Sequence, residues 1–181
     1  MNRQALRLIL FSFIFLMGCA HTTPPDVKPH QSASGELLKK ACMEAAIRGI
    51  KTEITRYQDW IDLRKQNPVD SQDLPGFEEG MKALKADLKK YQSLDPKDYQ
   101  LPVEVKMTAW VEGRPEANAI LYVEGMSRSG PWNHLAGIKG NDYGVLKPDI
   151  KYMMTFYKVY PRSYFHMESS YIYVAEYQEQ E

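Results

Sequence analysis

Ser127 and Ser129, in Met126-Ser127-Arg128-Ser129-Gly130, are serines near glycine, where a hydrolase nucleophile would be sought. Their spacing is not the Gly-x-Ser-x-Gly elbow that lifts a nucleophile onto a strand-to-helix turn, so they read as a polar loop. Four histidines are available for metal. His21 and His30 fall in a polar stretch, and His134 and His166 in the part expected to fold. No His-x-x-x-His, Cys-x-x-Cys or acidic calcium loop joins them. His166 and Glu168 would share a strand face, which reads as a solvated face rather than an ion site. No enzyme activity, cofactor or metal is expected. What remains is contact chemistry. Arg128, Trp132, Asn133 and His134 stand together in the irregular stretch Gly125 to Gly144, and Trp and Arg are enriched among the energetic anchors of interfaces. Trp110, Tyr122, Tyr143, Tyr157, Tyr171, Tyr173 and Tyr177 add rigid area with a polar handle. They suit either a binding surface or a platform beneath other elements.

The first residues have a different purpose. Arg3 and Arg7 precede an apolar run from Leu8 to Met17, then Gly18 and Cys19. The order basic, apolar, small is that of a targeting segment. The run is about half of the ~20 apolar residues that a spanning helix needs. Leu16-Met17-Gly18-Cys19 resembles the bacterial lipobox, although Met17 is not the usual choice there. The resemblance implies cleavage before Cys19 and acylation of it, and two or more acyl chains hold a protein on a bilayer at ~0.8 kcal/mol per buried methylene. Ala20, where Asp would signal inner-membrane retention, implies the outer membrane, with the body expected to face the periplasm.

With Cys19 acylated, Cys42 is the other of the two cysteines and has no partner within the chain. It is either a small buried hydrophobe or a link to a second chain. The 23 basic side chains less Arg3 and Arg7 leave 21 against 23 acidic ones. Nothing in that balance implies an electrostatic partner, and no basic stripe in the linear sequence points to nucleic acid.

Residues 19–35, polar and carrying Pro24, Pro25 and Pro29, read as a tether with a typical reach of ~22 Å. Met43, Ile47, Ile50, Ile54, Tyr57 and Ile61 recur at spacings of four and three and predict a helix from Glu36 to about Gln66, with Gly49 as a local cost. Phe77, Met81, Leu84, Leu88 and Tyr91 predict a second, after Asp73 and Pro75, which suit a cap and an early helical position. Beyond Leu94-Asp95-Pro96 the period becomes two, in residues 103–111 and 119–123, with further strands at 152–160, 164–167 and 171–177.

Val111-Glu112-Gly113-Arg114-Pro115-Glu116-Ala117-Asn118-Ala119-Ile120-Leu121-Tyr122-Val123, followed by Asp142-Tyr143-Gly144, looks like the transthyretin-like or carboxypeptidase-regulatory-like sandwich. Ig-like sandwiches share much of that pattern. Gly113 and Gly144 would relieve turn geometry, and Asp142 would bond its own turn backbone. The expected fold is therefore α+β: an N-terminal antiparallel helical hairpin (36–95) packed on a small antiparallel β-sandwich (96–181), behind a signal peptide (1–18) and a lipidated tether (19–35). The expected function is that of a lipid-anchored, non-enzymatic envelope module. It would have an envelope protein as partner and could form a homo-oligomer. The rival is a lipoprotein that captures a glycan or small molecule in an aromatic cleft. Cys19→Ser should abolish fatty-acid incorporation, because only the thiol accepts the diacylglycerol. Metabolic labelling reads this directly, and label retained on the variant would contradict the lipobox assignment.

Overall fold

The computed structural model describes residues 30–67, 72–164 and 167–181, so the leader, Cys19 and His21 lie outside the described residues, as does His166. Among the described residues two α-helices precede five strands: α1 (His30–Gln66), α2 (Leu74–Ser93), β1 (Glu104–Val111), β2 (Ile120–Val123), β3 (Asn133–Ile138), β4 (Tyr152–Tyr164) and β5 (Met167–Glu179). Ser32–Glu181 forms one compact unit. Neither described helix is long and apolar enough to cross a membrane.

Helix α1 begins at His30 rather than at Glu36. Pro29 is the last residue barred from a helix interior, and Gly35 weakens a helix without stopping it, so the helix extends back through Ser34, Ala33 and Ser32. It ends at Gln66, just before Asn67-Pro68, as expected. Pro75 stands in the first turn of α2, but Asp73 at the cap position makes no side-chain capping bond. The two helices meet through Ile61, Phe77 and Met81, with Tyr57 and Trp60 packed beside them. Contacts run in opposite order along them: Lys65 meets Glu78 at 3.6 Å, and Tyr57, about two turns earlier on α1, lies against Gly80, two residues later on α2.

The strands do not form two facing sheets. They close into a single barrel in the order β1-β2-β3-β5-β4. All neighbours are antiparallel except β3 and β5, which run parallel. Two features turn the expected sandwich into a barrel. Asn133–Ile138, inside the stretch expected to be a loop, is a strand buried at every position, and it fills the gap between β2 and β5. Bulges between Thr155 and Phe156 and between Lys158 and Tyr160 bend the long β4–β5 pair, as an inserted residue does by raising local twist. The barrel interior is one apolar cluster that includes Val111, Leu121, Leu135, Ile138, Met154, Phe156, Ile172 and Val174. Gly113 takes φ +68°, and the Asp142 carboxylate accepts from Gly144 N–H at 2.9 Å, as the turn chemistry predicts. Gly144 itself has no positive φ; the left-handed positions of that turn are Gly140 and Asn141.

A second cluster lies outside the barrel, where α1 sets Cys42, Ala45, Ala46 and Ile50 against Ala136, Tyr157, Val159, Tyr171 and Tyr173. Leu84 on α2 joins it, with Leu88 and Tyr91 packed alongside. Cys42 is a fully buried free thiol, and burial pushes its pKa up to about 12. Small side chains let the helix approach closely. A Cβ on Gly49 would stand 2.5 Å from Cγ of Tyr171. Gly49→Ala should therefore destabilise by about 1–3 kcal/mol, against the roughly 1 kcal/mol that alanine ordinarily adds inside a helix. Gly76→Ala, with nothing within 4 Å of its added Cβ, should show the ordinary gain. Urea unfolding of the two variants checks this, and a Gly49→Ala protein at least as stable as its parent would mean that α1 stands off the barrel.

Candidate functional site

The eight aromatic side chains that the sequence offers as a surface separate into two groups. Tyr157, Tyr171 and Tyr173 lie buried beneath α1, as the platform reading of these residues has it. Tyr143 donates to the Ala136 carbonyl at 3.2 Å, and Tyr177 meets Tyr152 edge-on. Tyr160, which the sequence reading did not single out, belongs to the same covered side. Its hydroxyl donates to Asp87 on α2 at 2.7 Å, and burial together with that bond raises its pKa.

Trp110, Tyr122 and Trp132 are the group left outside. Outward positions alternate along β1 and β2, and the register places Trp110 directly opposite Tyr122. Their rings stack at 6.0 Å between centroids and 22° between planes. A cation closes each end of the pair. The Arg128 guanidinium lies 5.6 Å from the Tyr122 centroid, and Lys151 Nζ lies 5.9 Å from that of Trp110. Both are within the range of attraction to a ring face. Each cation also holds an acid, Arg128 to Glu112 at 2.8 Å and Lys151 to Glu124 at 2.7 Å. The Lys151 hydrogen bond keeps the Glu124 carboxyl below the usual carboxylate range. The result is a ladder of cation, ring, ring and cation on the open outer face of β1 and β2.

The β2–β3 connection supplies Arg128 and is itself braced. Trp132 donates its indole N–H to the Arg128 carbonyl at 3.0 Å, Met126 N–H bonds Val123, and Gly130 N–H bonds Ser127. Ser127 and Ser129 bond each other through their hydroxyls at 2.6 Å, the behaviour of a polar loop. Of the four candidate interaction residues, Arg128 and the half-buried Trp132 reach the surface. Asn133 and His134 are only 3% and 5% exposed, because they open the buried strand β3. His134 meets Tyr171 in a tilted ring contact at 5.4 Å between centroids, and Tyr171 donates to Glu53 at 2.7 Å. Glu53 also sits 3.4 Å from Arg56. Nothing in the sequence signals this buried group, since Glu53 reads as one more solvated charge on a helix.

Two grooves, of about 540 and 580 Å³, lie on the outside of β1, β4 and β5 and share Lys106, Lys139, Thr155 and Glu176. Trp132 lines neither. Among the described residues, no three His, Cys, Asp or Glu side chains gather as a metal site requires.

A meander of three strands whose fourth returns beside the first is a Greek key, and a five-stranded Greek-key barrel is the architecture of OB-folds. The barrel has that arrangement with helices laid over its β3–β5–β4 side. Shared architecture does not by itself carry function. In comparisons with known proteins, the chain matches no family model, no curated protein and no solved structure.

The ladder predicts energetic coupling between its rings. A double-mutant cycle of Trp110→Ala and Tyr122→Ala, read by urea unfolding, should give about 0.5–1.5 kcal/mol of interaction. Strictly additive losses would mean that the rings are neighbours without a stack.

Proposed function

We propose that the protein is a lipid-anchored, non-enzymatic interaction module of the bacterial envelope, held by acylated Cys19 on the outer membrane with its body toward the periplasm. Its contact surface is the outer face of β1 and β2. One observation carries this reading: the helices occupy the exterior of β3, β5 and β4, while Trp110, Tyr122, Arg128 and Trp132 stay together on the side they leave open. Trp, Tyr and Arg at one spot are the composition of an interface anchor, and strand pairing of Trp110 and Tyr122, with the braced connection that holds Arg128 and Trp132, fixes their positions before a partner arrives, which lowers the ordering cost of binding.

The partner favoured is a protein of the envelope. A second reading, capture of a glycan, has the rings themselves in its favour, together with the use of the strand 2–3 face for oligosaccharides in barrels of this architecture. Against it, the rings stand on an open surface rather than in a cleft, and Lys151 and Arg128 already cap their outer faces.

Trp132→Ala and Tyr122→Ala should each lower recovery of a cross-linked envelope partner several-fold while Gly76→Ala leaves it unchanged. Melting measured on the same samples separates a lost contact from a lost fold. Recovery unchanged in both variants would remove this face from consideration.

A further inference from the structure

Residues far apart in sequence come together where the tether feeds into the body. The two helices lie in opposite order, so the N-terminal end of α1 stands beside the C-terminal end of α2. Leu38 and Cys42 pack in one cluster with Leu88, Tyr91 and Leu94, and Lys39 Nζ donates to the Lys97 carbonyl at 2.8 Å. This end carries Lys39, Lys40, Lys85, Lys89, Lys90 and Lys97. None of these lysines holds an ion pair among the described residues, and all but Lys39 are exposed. The acids here are Glu36, Glu44, Asp87, Asp95, Asp98 and Glu104, the last accepting from the Tyr157 hydroxyl at 2.6 Å. Asp87 is engaged by Tyr160, and Asp95 accepts from Lys97 N–H at 2.9 Å. The opposite end of the helix pair has more acids than bases, with Asp59, Asp62, Asp73, Glu78 and Glu79 exposed against Arg56, Arg64 and Lys65, the last bound to Glu78.

Apolar side chains are exposed at the same basic end. Leu37 is 69% exposed, and Leu101 and Val103, in the segment that leads from Tyr99 into β1, are 37% and 83% exposed. Leu37 and Glu104 border one groove, which brings Val103 near the start of α1. Lysines around exposed apolar side chains are the composition of surfaces that lie on anionic bilayers, where each basic residue near the surface adds attraction and apolar groups enter the headgroup boundary.

We propose that this end of the body is a seat for an anionic phospholipid surface, so that the protein rests on its membrane by the tether-proximal end and turns the acidic end away from it. The proposal rests on the anchoring of Cys19, which would hold the body within reach of the bilayer and make a weak surface attraction sufficient to orient it.

A chain beginning at Ala20 lacks the acylated cysteine but contains the compact unit, and its binding to vesicles isolates the seat from the anchor. It should sediment with vesicles of phosphatidylcholine mixed with phosphatidylglycerol, and not with phosphatidylcholine alone, and added salt should release it. K89E with K90E should weaken that binding about tenfold. Leu37→Asn with Val103→Asn should weaken it as well, and K65E at the far end should leave it unchanged. All these positions are exposed, so melting is expected to stay near that of the parent. Equal binding to both vesicles, binding to neither, or an equal loss in K65E would overturn the proposal. Fatty-acid labelling of the full chain reports on the anchor separately: a labelled chain whose body ignores anionic vesicles keeps its anchor and has no seat.

Discussion

The ring of Tyr171 occupies the space that a Cβ on Gly49 would need, and one helical turn further on Glu53 accepts the Tyr171 hydroxyl in a site that water scarcely reaches. Close approach and a buried hydrogen bond reinforce each other here. A larger residue at position 49 would lift the helix, and a lifted helix would leave a buried carboxyl without its donor, which costs more than the bond contributes when made. This one crossing fixes where α1 lies on the barrel. Arg48 strengthens it by donating from Nε to the Ala136 carbonyl at 2.8 Å on the neighbouring strand. Helix α2 then follows, because its apolar side packs on α1, on Tyr160 of β4 and on Tyr99.

Two exteriors result from one barrel. The side beneath the helices is large, apolar and closed, with tyrosine hydroxyls anchored to Glu53, Asp87 and Glu104. The side formed by β1 and β2 carries rings and cations that are satisfied among themselves yet remain at the surface. Each ion pair in that ladder is exposed and worth little to stability, so the ladder is better understood as a fixed arrangement of groups than as a source of folding energy. The helices and the ladder thus divide the aromatic residues between holding the fold and facing outward.

The helices were legible because their larger apolar residues keep a 3.6 period, and β1 and β2 because theirs alternate. Strand β3 was not. Asn133-His134-Leu135-Ala136-Gly137-Ile138 is buried on both faces, which removes the alternation that reveals a strand, and its asparagine, histidine and glycine resemble a loop. Missing it turned a barrel into a sandwich and placed Asn133 and His134 on the surface. Gly49 read as a cost, since its benefit exists only against Tyr171. The aromatic residues were visible as a set, but only pairing separates Trp110 and Tyr122 from Tyr157, Tyr171 and Tyr173. The basic end was hidden as well, because its lysines come from three separated segments.

The central claim is that the contact between Glu53 and Tyr171 seats α1 on the barrel and so decides which face stays open. A double-mutant cycle with Glu53→Leu and Tyr171→Phe, measured by urea unfolding, tests it most directly. The account predicts that Tyr171→Phe costs about 1–3 kcal/mol when Glu53 is present and close to nothing when leucine replaces it. Equal costs in both backgrounds would contradict it, because the tyrosine hydroxyl would then contribute nothing through Glu53 and the helix would owe its position to something else.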